Sequence, residues 1–233
     1  INRKEAQRER LYRAAPEKVK KNFSYVLKRA EYYLDSGHYT KALDILRTHS
    51  FLPWEGWTGA REVYAFACLR RAYSSMEKGK YEKAKKDLFR AMEYPENLGT
   101  GKPADPIFSR EYYFIGLCYE KMGDRKTSEN YFRRVEKIQA GVLSEQSYYR
   151  ALSLKKLGKI KESEDLLLRI KSASEALIER SRRGDSYYFL LASIASDALG
   201  DKSKAEEYLQ KAQEIDPSSR RISLFGSERK FLE

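Results

Sequence analysis

With 233 residues, 41% of them hydrophobic and 34% charged, the chain is too apolar and aromatic for disorder and has the composition of a soluble, helix-favouring protein. No run of about 18 apolar residues occurs, which excludes a membrane-spanning helix. The net charge of +12 is local: residues 1–30 hold ten Lys or Arg against three Glu, and the other 203 hold 36 bases against 31 acids, so a uniformly basic nucleic-acid-coating surface is excluded too.

Residues 1–21 read as a basic N-terminal helical segment with a solvated face. Its opening, "INRKEAQRER", has neither an initiator Met nor an apolar signal core, which points to a fragment with a domain missing upstream. From 22 to 217, five segments repeat one pattern: a helix, a Gly-centred turn, and a second helix opening near Ala or Ser. The turns are "DSGHYTKAL", "EKGKYEKAK", "KMGDRKTSE", "KLGKIKESE" and "ALGDKSKAE", centred on Gly37, Gly79, Gly123, Gly158 and Gly200. A glycine there suits the left-handed residue that ends a helix. Ala30, Ala72, Gly116, Ala151 and Ser193 are small enough to let the two helices of a unit approach closely. Larger apolar residues at i, i+3 and i+4 form a stripe that no unit buries alone, so the units must stack. Residues 218–233 remain as a C-terminal capping tail.

These units resemble the tetratricopeptide repeat. In the third, Tyr112, Ile115, Gly116 and Tyr119 fill the first-helix pattern, and Ser128, Phe132 and Val135 fill the second. The last, Ser186–Pro217, carries Ala205, Leu209 and Ala212. The fourth departs from the pattern, with Ser147 and Arg150 at places usually apolar. The resemblance implies an all-α fold, a right-handed superhelical α-solenoid of about five tetratricopeptide-like helix pairs. It also implies a concave groove along the first helices, lined by Phe66, Leu69, Tyr73, Tyr113, Leu117 and Lys121 and extended by Tyr148, Tyr187 and Leu190. Such a groove is more apolar than a carboxylate-binding one and is expected to hold an apolar or helical segment. Residues 1–21 and the tail "RRISLFGSERKFLE" are candidates from the chain itself.

The turn glycines are 42, 44, 35 and 42 residues apart, so three intervals carry extra chain. Two are loops, "SFLPWEGWTG" near 50–60 and "YPENLGTGKPADPIF" near 95–107; the third, "KSASEALIERSRRG", reads as an extended helix ending at Gly184. Both loops follow second helices of consecutive units, so they should emerge on one edge, where they could touch. Trp54, Glu55, Trp57, Glu96, Asn97 and Lys102 are the candidate ligand- or partner-binding loop residues. In the other reading, the tryptophans seal an apolar edge between units and the glutamates cap the loops. "GTGKP" lacks the spacing of a phosphate loop. A helical repeat carrying Pro53–Gly56 and then Tyr94–Lys102 also resembles the C-terminal region of a bacterial family. Its members have an N-terminal β-rich domain of unassigned function and are often associated with carbohydrate metabolism.

The remaining reactive residues have structural readings. Cys68 and Cys118 lack CxxC spacing and read as buried small hydrophobes, which favours a reducing, cytoplasmic setting. His38 and His49 lack metal-ligand spacing and read as helix-end hydrogen-bonding groups, so no metal and no cofactor are expected. Tyr33, Tyr112 and Tyr119 read as core, and Glu82–Lys86 as a surface pair. No catalytic residue is assigned, because nothing fixes the separation of Glu55 and Glu96 that glycoside hydrolysis requires. The function expected is a non-enzymatic protein-interaction scaffold that docks a protein segment or its own upstream domain. The alternative is an accessory module that completes a carbohydrate-binding or carbohydrate-processing site, with a glycan as partner. Nucleic acid ranks last, and no membrane association is expected.

Overall fold

The computed structural model describes residues 3–51, 59–180 and 185–232, and every regular element among them is helical. The chain divides into two compact units, Ile1–Pro106 and Ile107–Glu233. The division falls inside the second insertion.

The first unit opens with α1 (Arg3–Ala14) and the single turn α2 (Glu17–Lys20). Two helix pairs follow, α3 (Phe23–Asp35) with α4 (Tyr39–Thr48) and α5 (Ala60–Met76) with α6 (Tyr81–Ala91). The second unit holds three pairs: α7 (Ser109–Lys121) with α8 (Arg125–Glu136), α9 (Glu145–Lys156) with α10 (Ile160–Arg180), and α11 (Ser186–Ala198) with α12 (Lys202–Ile215). A last helix, α13 (Arg220–Glu228), ends the chain. Within each unit the first helix of a pair packs on both helices of the pair before it.

The five turns share one geometry. Gly37, Gly79, Gly123, Gly158 and Gly200 all have φ between +66° and +88°. The residue after each donates its N–H back over the turn, as in His38 to Tyr33 O (2.8 Å), Lys80 to Ser75 O (2.9 Å) and Asp201 to Ser196 O (2.9 Å). These bonds satisfy carbonyls that the helix end would otherwise leave open. Asp124, Ser144, Asp185 and Asp201 then cap the following helices through their side chains.

The small residues stand where the paired helices cross, and all are buried. A Cβ on Gly116 would come within 2.6 Å of the Phe132 ring, so only glycine admits that ring. In the fourth and fifth pairs a serine hydroxyl crosses the seam. Ser163 donates to Ala151 O (2.7 Å) and Ser193 to Ala205 O (2.8 Å). Ser147 and Arg150, atypical for the repeat, tie α9 to the connection before it and to the end of α8. Ser147 Oγ donates to Gly141 O (2.9 Å) and Arg150 Nε to Glu136 O (3.0 Å). The long α10 keeps its extension by reaching the fifth pair, where Lys171 meets Asp201 (3.3 Å) and Glu175 accepts from Tyr208 Oη (2.8 Å).

Three sequence expectations are corrected. Glu82 pairs with Lys85 at 2.8 Å rather than with Lys86, the i,i+3 neighbour lying nearer its carboxylate. His49 does bond at its helix end, donating from Nδ1 to Ile45 O (2.9 Å), whereas His38 begins α4 without a side-chain cap and packs on the Tyr33 ring instead. Tyr33 is buried, but Tyr112 and Tyr119 are half-exposed. They flank Tyr131, which stacks on Tyr119 at 5.6 Å and lies under the Arg134 guanidinium.

Candidate interaction groove

In the second unit α13 lies against the first helices of all three pairs. Its sequence "RRISLFGSE" places Ile222, Leu224, Phe225 and Glu228 on the buried side. Phe225 meets the Tyr148 ring of α9 edge-on at 6.4 Å. Phe231, in the 3₁₀ turn Arg229–Phe231 that follows, meets Phe114 of α7 at 6.3 Å. Arg221 stands 5.7 Å over the Tyr187 ring of α11. The apolar contacts remove aromatic area from water, which supplies most of the hold.

A polar chain lies beneath them. Glu228 is fully buried and accepts from the Tyr149 hydroxyl. Arg110 Nε, 3.0 Å from Glu228 Oε1, donates to Tyr149 Oη at 2.8 Å, and its Nη2 pairs with Glu145. A buried carboxylate of this kind persists only when paired and hydrogen-bonded, and Arg110 with Tyr149 supplies both. Burial pushes the Tyr148 and Tyr149 phenols well above the ordinary tyrosine range, so Tyr149 stays a donor. At the far end Arg229 pairs with Asp197 (2.9 Å) and Glu206 (2.8 Å), and Lys202 also reaches Asp197 (3.1 Å).

The expected groove residues fall on both units. Phe66, Leu69 and Tyr73 are buried on α5 of the first. On the second, Tyr148 and Tyr187 meet α13 directly. Tyr113 packs on Phe114, Phe132 and Tyr149; Leu117 is buried and Lys121 exposed. On α7, Arg110 and Phe114 meet the tail, one step round the helix from Tyr113. Sequence reasoning missed them, together with Tyr149, Asp197 and Glu228. The available signal was the i,i+4 spacing of Arg110 and Phe114 opposite an amphipathic tail whose helical stretch "RRISLFGSE" carries one acid.

Of the loop residues, Trp54, Glu55 and Trp57 lie outside the described residues. Beside them, Phe51 is buried and donates its N–H to Asn97 O at 2.6 Å, so the two insertions do meet. Asn97 Nδ2 donates to Leu46 O and His49 O, both at 2.8 Å, closing the C-terminal end of α4. Leu98 is buried next to it, while Glu96 and Lys102 are exposed. Arg61 stacks 4.3 Å from the Tyr94 ring and donates to Ala91 O. The second loop is therefore folded onto its own scaffold. Among the described residues, no group of three or more His, Cys, Asp or Glu side chains is arranged to hold a metal ion, and no helix is long and apolar enough to cross a membrane.

Solved structures of similar helical repeats align over most of the chain. YrrB, described as a TPR protein with an unusual peptide-binding site, aligns at 18% identity over 93% of this chain and 97% of its own, with a TM-score of 0.35. MamA from Desulfovibrio magneticus RS-1 aligns at 20% identity over 72% and 85%, with a TM-score of 0.29. The assembly chaperone of RpL4 aligns at 14% identity over 90% and 84%, with a TM-score of 0.27. Residues 111–141 and 185–219, the third and fifth helix pairs, match the family model of the tetratricopeptide repeat, so this all-α chain carries tetratricopeptide repeats.

Proposed function

We propose that the chain is a non-enzymatic protein-interaction module whose second unit receives an amphipathic helical segment along α7, α9 and α11. The observation that carries this reading is α13 itself. Its Phe225 meets Tyr148, its Arg221 lies over Tyr187, the Phe231 that follows it meets Phe114, and its carboxylate is matched by Arg110 and Tyr149. A surface that meets a helix of its own chain in this way has the chemistry to meet a partner helix with the same apolar spacing and one well-placed acid. The partner is then a protein segment, and a segment of an upstream domain of the same protein fits that description. A glycan site on the loops is less well supported, since both amide hydrogens of Asn97 are committed to backbone carbonyls.

The test uses a labelled peptide of residues 218–233 supplied in trans. Against the full chain the site is occupied, and little binding is expected. Against Phe225→Ala/Glu228→Gln, whose resident helix is weakened, the wild-type peptide should bind at least about tenfold more tightly. Equal binding to both proteins, or none to either, would remove the groove as a helix receptor.

A further inference from the structure

We propose that a basic cleft in the first unit docks an acidic segment of a partner protein. The cleft, about 420 Å³ in volume, lies between the Gly37 and Gly79 turns. One wall is His38–Lys41 at the start of α4. The others are Arg71, Ser74 and Ser75 on α5 and Lys78, Lys80 and Lys83 around the start of α6. No Asp or Glu lines it.

The charges in the cleft are unequal in availability. Arg71 is held by Asp87 through two bonds of 2.8 and 2.6 Å, so its charge is answered. Lys41 stands over the Tyr33 ring at 5.3 Å. Among the described residues, Lys41, Lys78, Lys80 and Lys83 have no ion-pair partner, although lysines elsewhere do: Lys85, Lys156, Lys171 and Lys202 all find carboxylates. Four like charges facing one concavity repel one another, and a bound anion relieves that repulsion. The starts of α4 and α6 add to the same field, since neither has a side-chain cap to occupy its first N–H groups. Hydroxyls of Thr40 and Ser74 supply further donors. Carboxylates are the matching chemistry. The cations converge in one cleft of a size for a few residues, whereas nucleic-acid surfaces track a backbone and add a row of stacking aromatics. Among the lining residues only Tyr39 and the His38 imidazole are aromatic, and the His38 ring packs on Tyr33, so no such row is present.

This cleft belongs to the first unit and the groove to the second, so either reading can fail alone. The test is fluorescence anisotropy of a labelled octaglutamate peptide with the full chain at low salt. Lys78→Glu/Lys83→Glu should weaken binding at least about tenfold with an unchanged melting temperature. Lys18→Glu/Lys21→Glu, which makes the same change in net charge outside the cleft, should leave binding within about twofold. Absent binding to the unaltered chain would overturn the proposal, as would equal weakening by both variants. An oligothymidylate of equal charge that binds as tightly, with the same dependence on Lys78 and Lys83, would overturn the assignment to an acidic protein segment.

Discussion

Gly116 and Gly200 are both repeat glycines, yet different forces keep them. Gly200 has a φ of +88° with open space around its absent Cβ, so its replacement costs backbone strain alone. Gly200→Ala is expected to lose about 1–2 kcal/mol. Gly116 has ordinary helical backbone, but a methyl there drives into the Phe132 ring at 2.6 Å. Gly116→Ala is expected to lose about 1–3 kcal/mol by overpacking, and Phe132→Leu in the same chain should recover part of it. Denaturant midpoints of Gly200→Ala and Gly116→Ala, each with and without Phe132→Leu, check both statements; recovery at Gly200 by the Phe132 change would refute the distinction. Cys68 shows burial acting on chemistry. Desolvation pushes its thiol up to about 12, and Cys118 is equally enclosed. Both thiols should react with a disulfide reagent only after the chain is unfolded in denaturant.

Helices α1 and α13 bracket the repeats, and each is held by aromatic contacts and by a glutamate that accepts from a tyrosine hydroxyl. α1 rests on α3 through Tyr12, which meets Tyr25 and Tyr32 at 5.5 Å each, and through Glu9, which accepts from the Tyr33 hydroxyl at 2.7 Å. That hydroxyl first, and Arg13 after it, hold the Glu9 carboxyl below its ordinary value of 4.5. A folded value below the unfolded one means this contribution is complete above the unfolded value and is lost as pH falls through the folded one. Proteolysis within residues 1–21 should therefore quicken as pH drops below the ordinary carboxyl range, using an acid-active protease. Glu9→Gln should flatten that dependence.

How legible such elements were depends on what kind of residue holds them. The turns were plain because a positive φ leaves a glycine behind in the sequence. The tail was recognisable as an amphipathic helix able to lie on the repeats. Its anchors were not, because Glu228 looks like a solvent-facing acid until Arg110 and Tyr149 surround it. The partnership of Phe51 with Asn97 was legible only as two loops on one edge. Its content, a backbone bond and a side chain closing α4, depends on atoms that no residue type announces.

At the scale of the whole molecule, the chain is two compact bodies, divided inside the second insertion, with unlike surfaces. The first carries a cleft of unanswered lysines, and the second carries a groove with an apolar face and one buried acid already in place. Repeat arrays gain stability from each interface between neighbours, so a resident helix on three pairs stabilises its own unit as well as covering its surface. The central claim is that α13 is held on α7, α9 and α11 in solution by Phe225 and Glu228. Amide hydrogen exchange of Ile222–Glu228 tests it most directly, in the unaltered chain and in Phe225→Ala/Glu228→Gln. Protection in the unaltered chain should stand well above that of an isolated short helix, and should be lost in the variant while α7 and α9 stay protected. Rapid exchange of α13 in both proteins would contradict the claim.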